Sequence, residues 1–269
     1  MAENLFQPGV ASGVVVVMGR IVALSSGKGG VGKTVTTVHL AAALAKFNKN
    51  VITVDANLTT SNLGLHLGIP LYPVTLQDVI RGKAKIQDAT YFHPAGFRII
   101  PADVSLSKLM LPDASDLINV FYKVAEDADF VLIDSAAGLG KEAVSSIEAA
   151  DEMITVTNPE LSALTDALKL GKMAERLETK NLGIVLNRVR NERHEFSRNS
   201  VEDFLELPLL GHVHEDSNVR RAIANKQPVV NYSPYSRSSN QFKSIAARLI
   251  GEEYSPRSFL AHRLFGWLK

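Results

Sequence analysis

The chain reads as an α/β protein: a doubly wound, mostly parallel sheet with helices on both faces, followed by a C-terminal amphipathic helix. Three observations predict this. Short apolar runs recur at 21–24, 51–54, 130–133, 153–156, 182–186 and 209–213, and most are separated by enough residues for a helix. Crossovers between parallel strands require that alternation. A glycine-rich stretch, SGKGGVGKT at 26–34, sits where the first run ends and a helical pattern begins, and the run DFVLID at 129–134 ends in a carboxylate. Ligands of such sheets gather at the carboxyl ends of the strands. The residues after each run are therefore the candidates for chemistry.

Composition narrows the function. The 269 residues are 46% hydrophobic, enough for one sizeable core. A net charge of +1, from 29 Lys+Arg and 28 Asp+Glu, provides no global basic field and argues against nucleic acid as a partner. Without cysteine there can be no disulfide, thiolate zinc site or cysteine-ligated iron–sulfur cluster. No run of about twenty apolar residues reads as a bilayer-crossing helix, and a cytoplasmic location is expected.

In chain order, residues 1–17 lack the basic leader and full apolar stretch of a signal peptide. They read as an extension outside the functional chain, which could begin at Met18; VVVV at 14–17 is otherwise an extra edge strand. The strand at 21–24 leads through the glycine loop into a helix over 34–47, with Val38, Ala41, Ala42 and Ala45 at helical spacing. The main domain runs over 18–251. A polar patch at 233–240 precedes a last helix over 241–250, a linker follows at 252–258, and an apolar tail occupies 259–269.

Gly27, Gly32, Lys33 and Thr34 satisfy G-x-x-x-x-G-K-[ST], with a strand before and a helix after. Backbone N–H groups of such a loop turn inward around a β-phosphate, and the helix N-terminus adds positive potential. Lys33 then reaches the β- and γ-oxygens, and the Thr34 hydroxyl can ligate Mg²⁺. Gly29, Gly30, Val31 and Thr36 complete the cofactor-binding set of the loop. Asp134 fits a Walker-B carboxylate holding Mg²⁺ through water, or else caps the next helix. Gly138 lets backbone approach the γ-phosphate.

The loop KGGVGKT, the strand end DSAAG, the segment VDANLTTSNLGLHLG at 54–68 and LNR at 186–188 together resemble the MinD/ParA family of deviant Walker-A ATPases, its MinD branch in particular. The similarity runs from about Met18 to the last residue. It implies ATP/ADP and Mg²⁺ as cofactors and a homodimer on ATP binding, in which Lys28 crosses the interface to the partner's phosphates. It implies that Asp55, Asn57 and Asn62 form a switch near the attacking water or metal. The family usually carries D-x-D where this chain has Asp55-Ala56-Asn57; an amide can orient water without accepting its proton, so hydrolysis is expected to be slow. Thr59, Thr60 and Ser61 can also be read as caps of a following helix.

Asn187 resembles the asparagine that hydrogen-bonds adenine, next to Arg188, and the absence of an N-K-x-D run favours ATP over GTP. Glu215 and Asp216 open a segment resembling the adenine-side loop. In the tail, Leu260, Leu264, Trp267 and Leu268 share one helical face flanked by Phe259 and Phe265, while His262 and Lys269 lie opposite. Such a helix suits an anionic membrane surface, and dimerisation would add avidity; packing on the parent domain is the other reading. The resemblance extends this to a spatial regulator of cell division or polar structures, peripheral to the inner face of the membrane, with an activating or cargo protein unknown. A nucleotide-gated scaffold with little turnover and a ParA-type DNA partitioning ATPase are the alternatives. Iron–sulfur carriers that share the loop need cysteines that this chain lacks.

Overall fold

A computed structural model describes residues 18–69, 71–103 and 113–256. The expectations for 1–17 and for the tail at 259–269 lie outside the described residues. The chain order is β1 (Arg20–Ser26), α1 (Lys33–Lys46), β2 (Val51–Asp55), α2 (Leu63–His66), α3 (Leu76–Ile80), a 3₁₀ turn (Ile86–Ala89), β3 (Tyr91–His93), β4 (Phe97–Ile100), α4 (Ala114–Ala125), β5 (Phe130–Ala137), α5 (Lys141–Glu148), β6 (Glu152–Thr157), α6 (Leu161–Arg176), β7 (Lys180–Val189), α7 (Arg198–Leu205), β8 (Leu209–His214), α8 (Ser217–Ala224), α9 (Val229–Tyr232) and α10 (Arg237–Leu249).

The strands form one sheet in the order β3-β4-β2-β5-β1-β6-β7-β8, parallel throughout except for the antiparallel edge pair β3–β4. Both faces are covered, so the central strands are apolar on both sides and read as runs rather than as alternations. In β1, Val22 and Leu24 join the core beneath α1 and α10, whereas Ile21 and Ala23 join the core of the opposite face beneath α4.

β1 sends its chain toward β2 on one side, while its neighbour β6 sends its chain to β7 on the other. The crevice at the carboxyl end of β1 is therefore the switch point where doubly wound sheets bind ligands. The parallel register sets Asp55 of β2 directly beside Asp134 of β5 in that crevice.

Three elements depart from expectation. The polar patch is not a break, because Ser236 accepts a hydrogen bond from Ser239 N and α10 begins at Arg237. β7 runs on through Asn187 and Arg188 instead of ending before them. Thr59, Thr60 and Ser61 do not cap α2, whose N-cap is Asn62.

Candidate functional site

Gly32 makes the turn into α1 possible. Its φ of 95° is left-handed, and an added Cβ would stand 2.2 Å from Asn187 Nδ2; only glycine fits both demands. α1 carries no acidic residue in its first turn, so its N-terminus keeps its positive potential. Gly30, with φ of 83°, opens the loop, and Gly29 and Gly30 line a cleft of about 510 Å³ together with Gly32, Lys33 and Thr34.

Lys33 is buried and donates to Asp134 Oδ1 at 2.6 Å, and Thr37 donates to the same oxygen at 3.3 Å. Asp134 lies within β5 and caps no helix, which removes that alternative. Its other oxygen, Oδ2, is buried with no hydrogen-bond partner among the described residues. A carboxylate oxygen left bare beside a lysine and a hydroxyl has the chemistry of a hard-cation ligand. No group of three or more His, Cys, Asp or Glu residues surrounds it among the described residues. That donor set suits Mg²⁺, which takes one or two protein oxygens and completes its shell from phosphate and water; Thr34 and Asp134 would hold it.

Asp55 is wholly buried. Burial first, then the Asp134 carboxylate, raise its pKa to about 7, against hydrogen bonds from Ser61 and Leu63 and the charge of Lys33. Ser61 Oγ donates to Oδ2 at 2.7 Å and Leu63 N at 3.1 Å, while Asn57 N donates to Oδ1 at 3.2 Å. Asp55 is thus the anchor of the segment 57–63.

Asn57 lines the cleft, but its carboxamide is occupied: Nδ2 donates to Thr60 O at 2.8 Å and Oδ1 accepts from Thr60 Oγ1 at 2.9 Å. Asn62 also lines the cleft. The structure adds a residue that sequence reasoning missed. Glu142, in the first turn of α5, accepts from Thr59 N at 3.0 Å and from Thr59 Oγ1 at 2.8 Å, and is the one carboxylate lining the cleft among the described residues. An acidic residue in a first helical turn is ordinary, so nothing in its spacing marked it.

Other predicted residues stand behind the cleft. Thr36 is buried and donates to Gly32 O at 2.9 Å, bracing the loop from within α1 instead of facing the cavity. Val31 is buried. Gly27 abuts α6, where an added Cβ would meet the Asp166 backbone at 2.3 Å. Gly138, with φ of 85°, donates its N–H to Ser26 O at 2.8 Å, so that group is engaged within the fold. Lys28 lies along its own chain, donating to Ser162 Oγ at 3.1 Å and pairing with Glu160 at 3.6 Å.

Asn187 joins the loop to a second, narrower cavity of about 100 Å³. Its Nδ2 donates to Val31 O at 2.7 Å, and Asn158, in the amide orientation that satisfies its surroundings, donates to the same carbonyl at 3.1 Å. Arg188, Glu215 and Asp216 line this cavity with it, and Arg188 lines the phosphate cleft as well. The Arg188 guanidinium stands 4.0 Å from Glu215. Asp216 caps α8 by accepting from Asn218 N at 2.8 Å, and it also takes the Ser238 hydroxyl at 2.7 Å. Burial opposes its charge, but those donated bonds outweigh it and hold the carboxyl below its usual range.

Comparison with known proteins identifies relatives along most of the chain. An uncharacterized ATP-binding protein of Methanocaldococcus jannaschii is 43% identical over 241 residues, covering 90% of this chain and 91% of that protein. The antiactivator FleN of Pseudomonas aeruginosa is 33% identical over 241 residues, with 86% of each chain covered. Among solved structures, the septum site-determining protein MinD of Pyrococcus horikoshii, complexed with Mg-ADP, superposes with a TM-score of 0.82 at 36% identity, covering 86% of this chain and 96% of that one. The profile of the CobQ/CobB/MinD/ParA nucleotide binding domain matches residues 22–229, and with it the chain belongs to that family, on its MinD/ParA side.

Proposed function

We propose that the protein is a MinD-like ATPase that dimerises on binding ATP, attaches to the inner face of the membrane through its C-terminal apolar segment, and acts as a spatial regulator of cell division or polar structures. The observation that carries the reading is the buried Lys33–Asp134 pair at the base of the loop, with Asp134 Oδ2 bare. Mg-ADP in the structurally similar MinD supports the cofactors.

Lys33 is the movable part. Its ammonium is held by Asp134 at 2.6 Å, and a triphosphate entering the cleft offers a larger negative charge at the helix N-terminus. When bound, Mg²⁺ would supply charge neutralisation to the phosphates. Asp134 and Thr34 would hold it, and Lys33 would neutralise the phosphate oxygens. The adenine would enter the narrower cavity, where Asn187 Oδ1 can accept from its amino group. Arg188, which lines both cavities, spans base and phosphate ends. Lys28 would leave Glu160 for the partner's nucleotide, making ATP part of the dimer interface.

Liposome co-sedimentation of the full chain with ATP, ADP or no nucleotide tests the reading, with pelleting expected in ATP only. Equal pelleting in all three states would refute nucleotide-gated attachment.

A second reading is a nucleotide-gated scaffold with little turnover. It is favoured by Asn57, whose amide is committed to Thr60 at both ends. Phosphate release by the dimer, with and without lipid, separates the two.

A further inference from the structure

At the end of α1 remote from the phosphate loop, about 20 Å along the helix, lies a concavity of about 420 Å³. Phe47, Tyr235 and Tyr254 wall it, and Lys46 and Lys243 both face it. Lys243 donates to Pro234 O at 2.6 Å and stands 6.0 Å over the Tyr235 ring. Among the described residues no carboxylate pairs with either lysine, unlike Lys33 or Lys28. Burial lowers the pKa of Lys243, and the charge of Lys46 pushes the same way. Lys46 is exposed and Lys243 half-buried, so two cations share an aromatic-walled hollow in which the Pro234 carbonyl and the Tyr235 ring offset only part of the cost of burying the Lys243 charge.

A third group belongs to the same hollow. Asn231 lines it, and Asn231 Oδ1 is buried without a hydrogen-bond partner among the described residues. The lysines call for an anion, and the amide oxygen calls for a donor close by. A phosphate ester bearing a hydroxyl on its substituent meets both needs: its oxygens can take the ammonium donors that Lys243 does not spend on Pro234, and its hydroxyl can donate to Asn231.

Location selects the source. Tyr254 lies five residues before Phe259, the first apolar residue of the tail, and five extended residues reach at most about 17 Å. We propose that this hollow binds the phosphoglycerol headgroup of an anionic lipid, adding headgroup recognition to tail insertion. The lipid source rests on the membrane reading given above; the phosphate chemistry of the pocket does not.

The test compares the full chain with the double variant Lys46→Gln/Lys243→Gln and with a chain lacking residues 259–269. Soluble glycerol 3-phosphate, titrated by NMR, is expected to bind the full and shortened chains equally and the double variant about tenfold more weakly. Vesicles containing phosphatidylglycerol, with ATP present, are expected to lose about tenfold in affinity for the double variant, and vesicles with phosphatidylserine at equal charge density to lose less. ATP affinity and melting temperature measured alongside should match the parent.

Glycerol phosphate binding unaffected by the two lysines would overturn the pocket. Lysine-dependent glycerol phosphate binding combined with equal losses on both vesicle types would overturn the lipid headgroup and leave a free phosphate ester as ligand. Failure of the parent chain to bind any vesicle would sink the membrane reading and the lipid source with it, while the soluble arm still decides the pocket.

Discussion

Lys33 illustrates how one side chain can hold a buried pair in the fold and, in the proposed function, a phosphate as well. Its ammonium and the Asp134 carboxylate are 7% and 0% exposed, so removing one partner leaves a buried charge poorly compensated. Lys33→Ala is expected to cost about 3 kcal/mol of stability and to weaken ATP binding by about a hundredfold or more. Calorimetric titration reads the second effect, and retained parental affinity would overturn the phosphate assignment. Glu142 acts in the opposite sense, because it places an anion in the cleft proposed for phosphates while fastening Thr59 through two hydrogen bonds. Glu142→Gln removes that charge and one of the two acceptors. ATP affinity should then rise about threefold, the scale of a partly exposed charge interaction. A weaker binder would show that the Thr59 clasp supports the bound state instead of opposing it.

Helix α1 gathers most of what the sequence made legible. Its glycine loop, its lysine and its spacing were readable because each is a local requirement: left-handed turns need glycine, and phosphates need N–H groups and a cation. Features set by distant partners were not readable. The edge strand β3 was not legible because it is only three residues long, Tyr91–His93, too short to stand out as an apolar run. Asn187 has a second task that its spacing does not show, because its Nδ2 is spent on the Val31 carbonyl 156 residues away in sequence. Glu142 and Thr59 meet only through the fold. So do His39 of α1 and Phe242 of α10, whose rings lie 5.0 Å apart. Burial first, then the nearby His66, lower His39 to about 3, contact with the Val35 backbone opposing only in part. Between that value and 6.5 the unfolded chain binds a proton that the folded chain refuses. Stability therefore falls as pH drops below about 6.5, by about 1.4 kcal/mol per pH unit, and the group contributes no slope above that range. His39→Leu should flatten this slope by one proton in urea unfolding at pH 5 and pH 7. It should also raise stability at pH 7 by about 1 kcal/mol, since both ring nitrogens are buried without hydrogen bonds. An unchanged slope would mean that other groups dominate acid sensitivity.

At the scale of the molecule, the question is what nucleotide charge does to a protein whose own net charge is +1. With no global field available, attraction has to come from the few cations around the cleft. Lys33 is already paired inside it, and Lys28, in the same glycine-rich loop, is paired with Glu160, whose side chain is 57% exposed. An exposed pair of this kind contributes at most about 1 kcal/mol, so leaving it is inexpensive. In the proposed dimer, a triphosphate shut between two subunits would offer Lys28 a stronger partner, because charge attraction grows as water is excluded. The fold thus predicts different fates for the two lysines of the loop. Lys28→Ala should leave calorimetric ATP affinity within about twofold of the parent, yet abolish the ATP-dependent doubling of mass in light scattering. Because Lys28 makes no contact in the core, loss of folding would not confuse the result. A Lys28→Ala protein that still doubles in mass with ATP would leave the crossing lysine without a role, and nucleotide-gated pairing would need another source of positive charge.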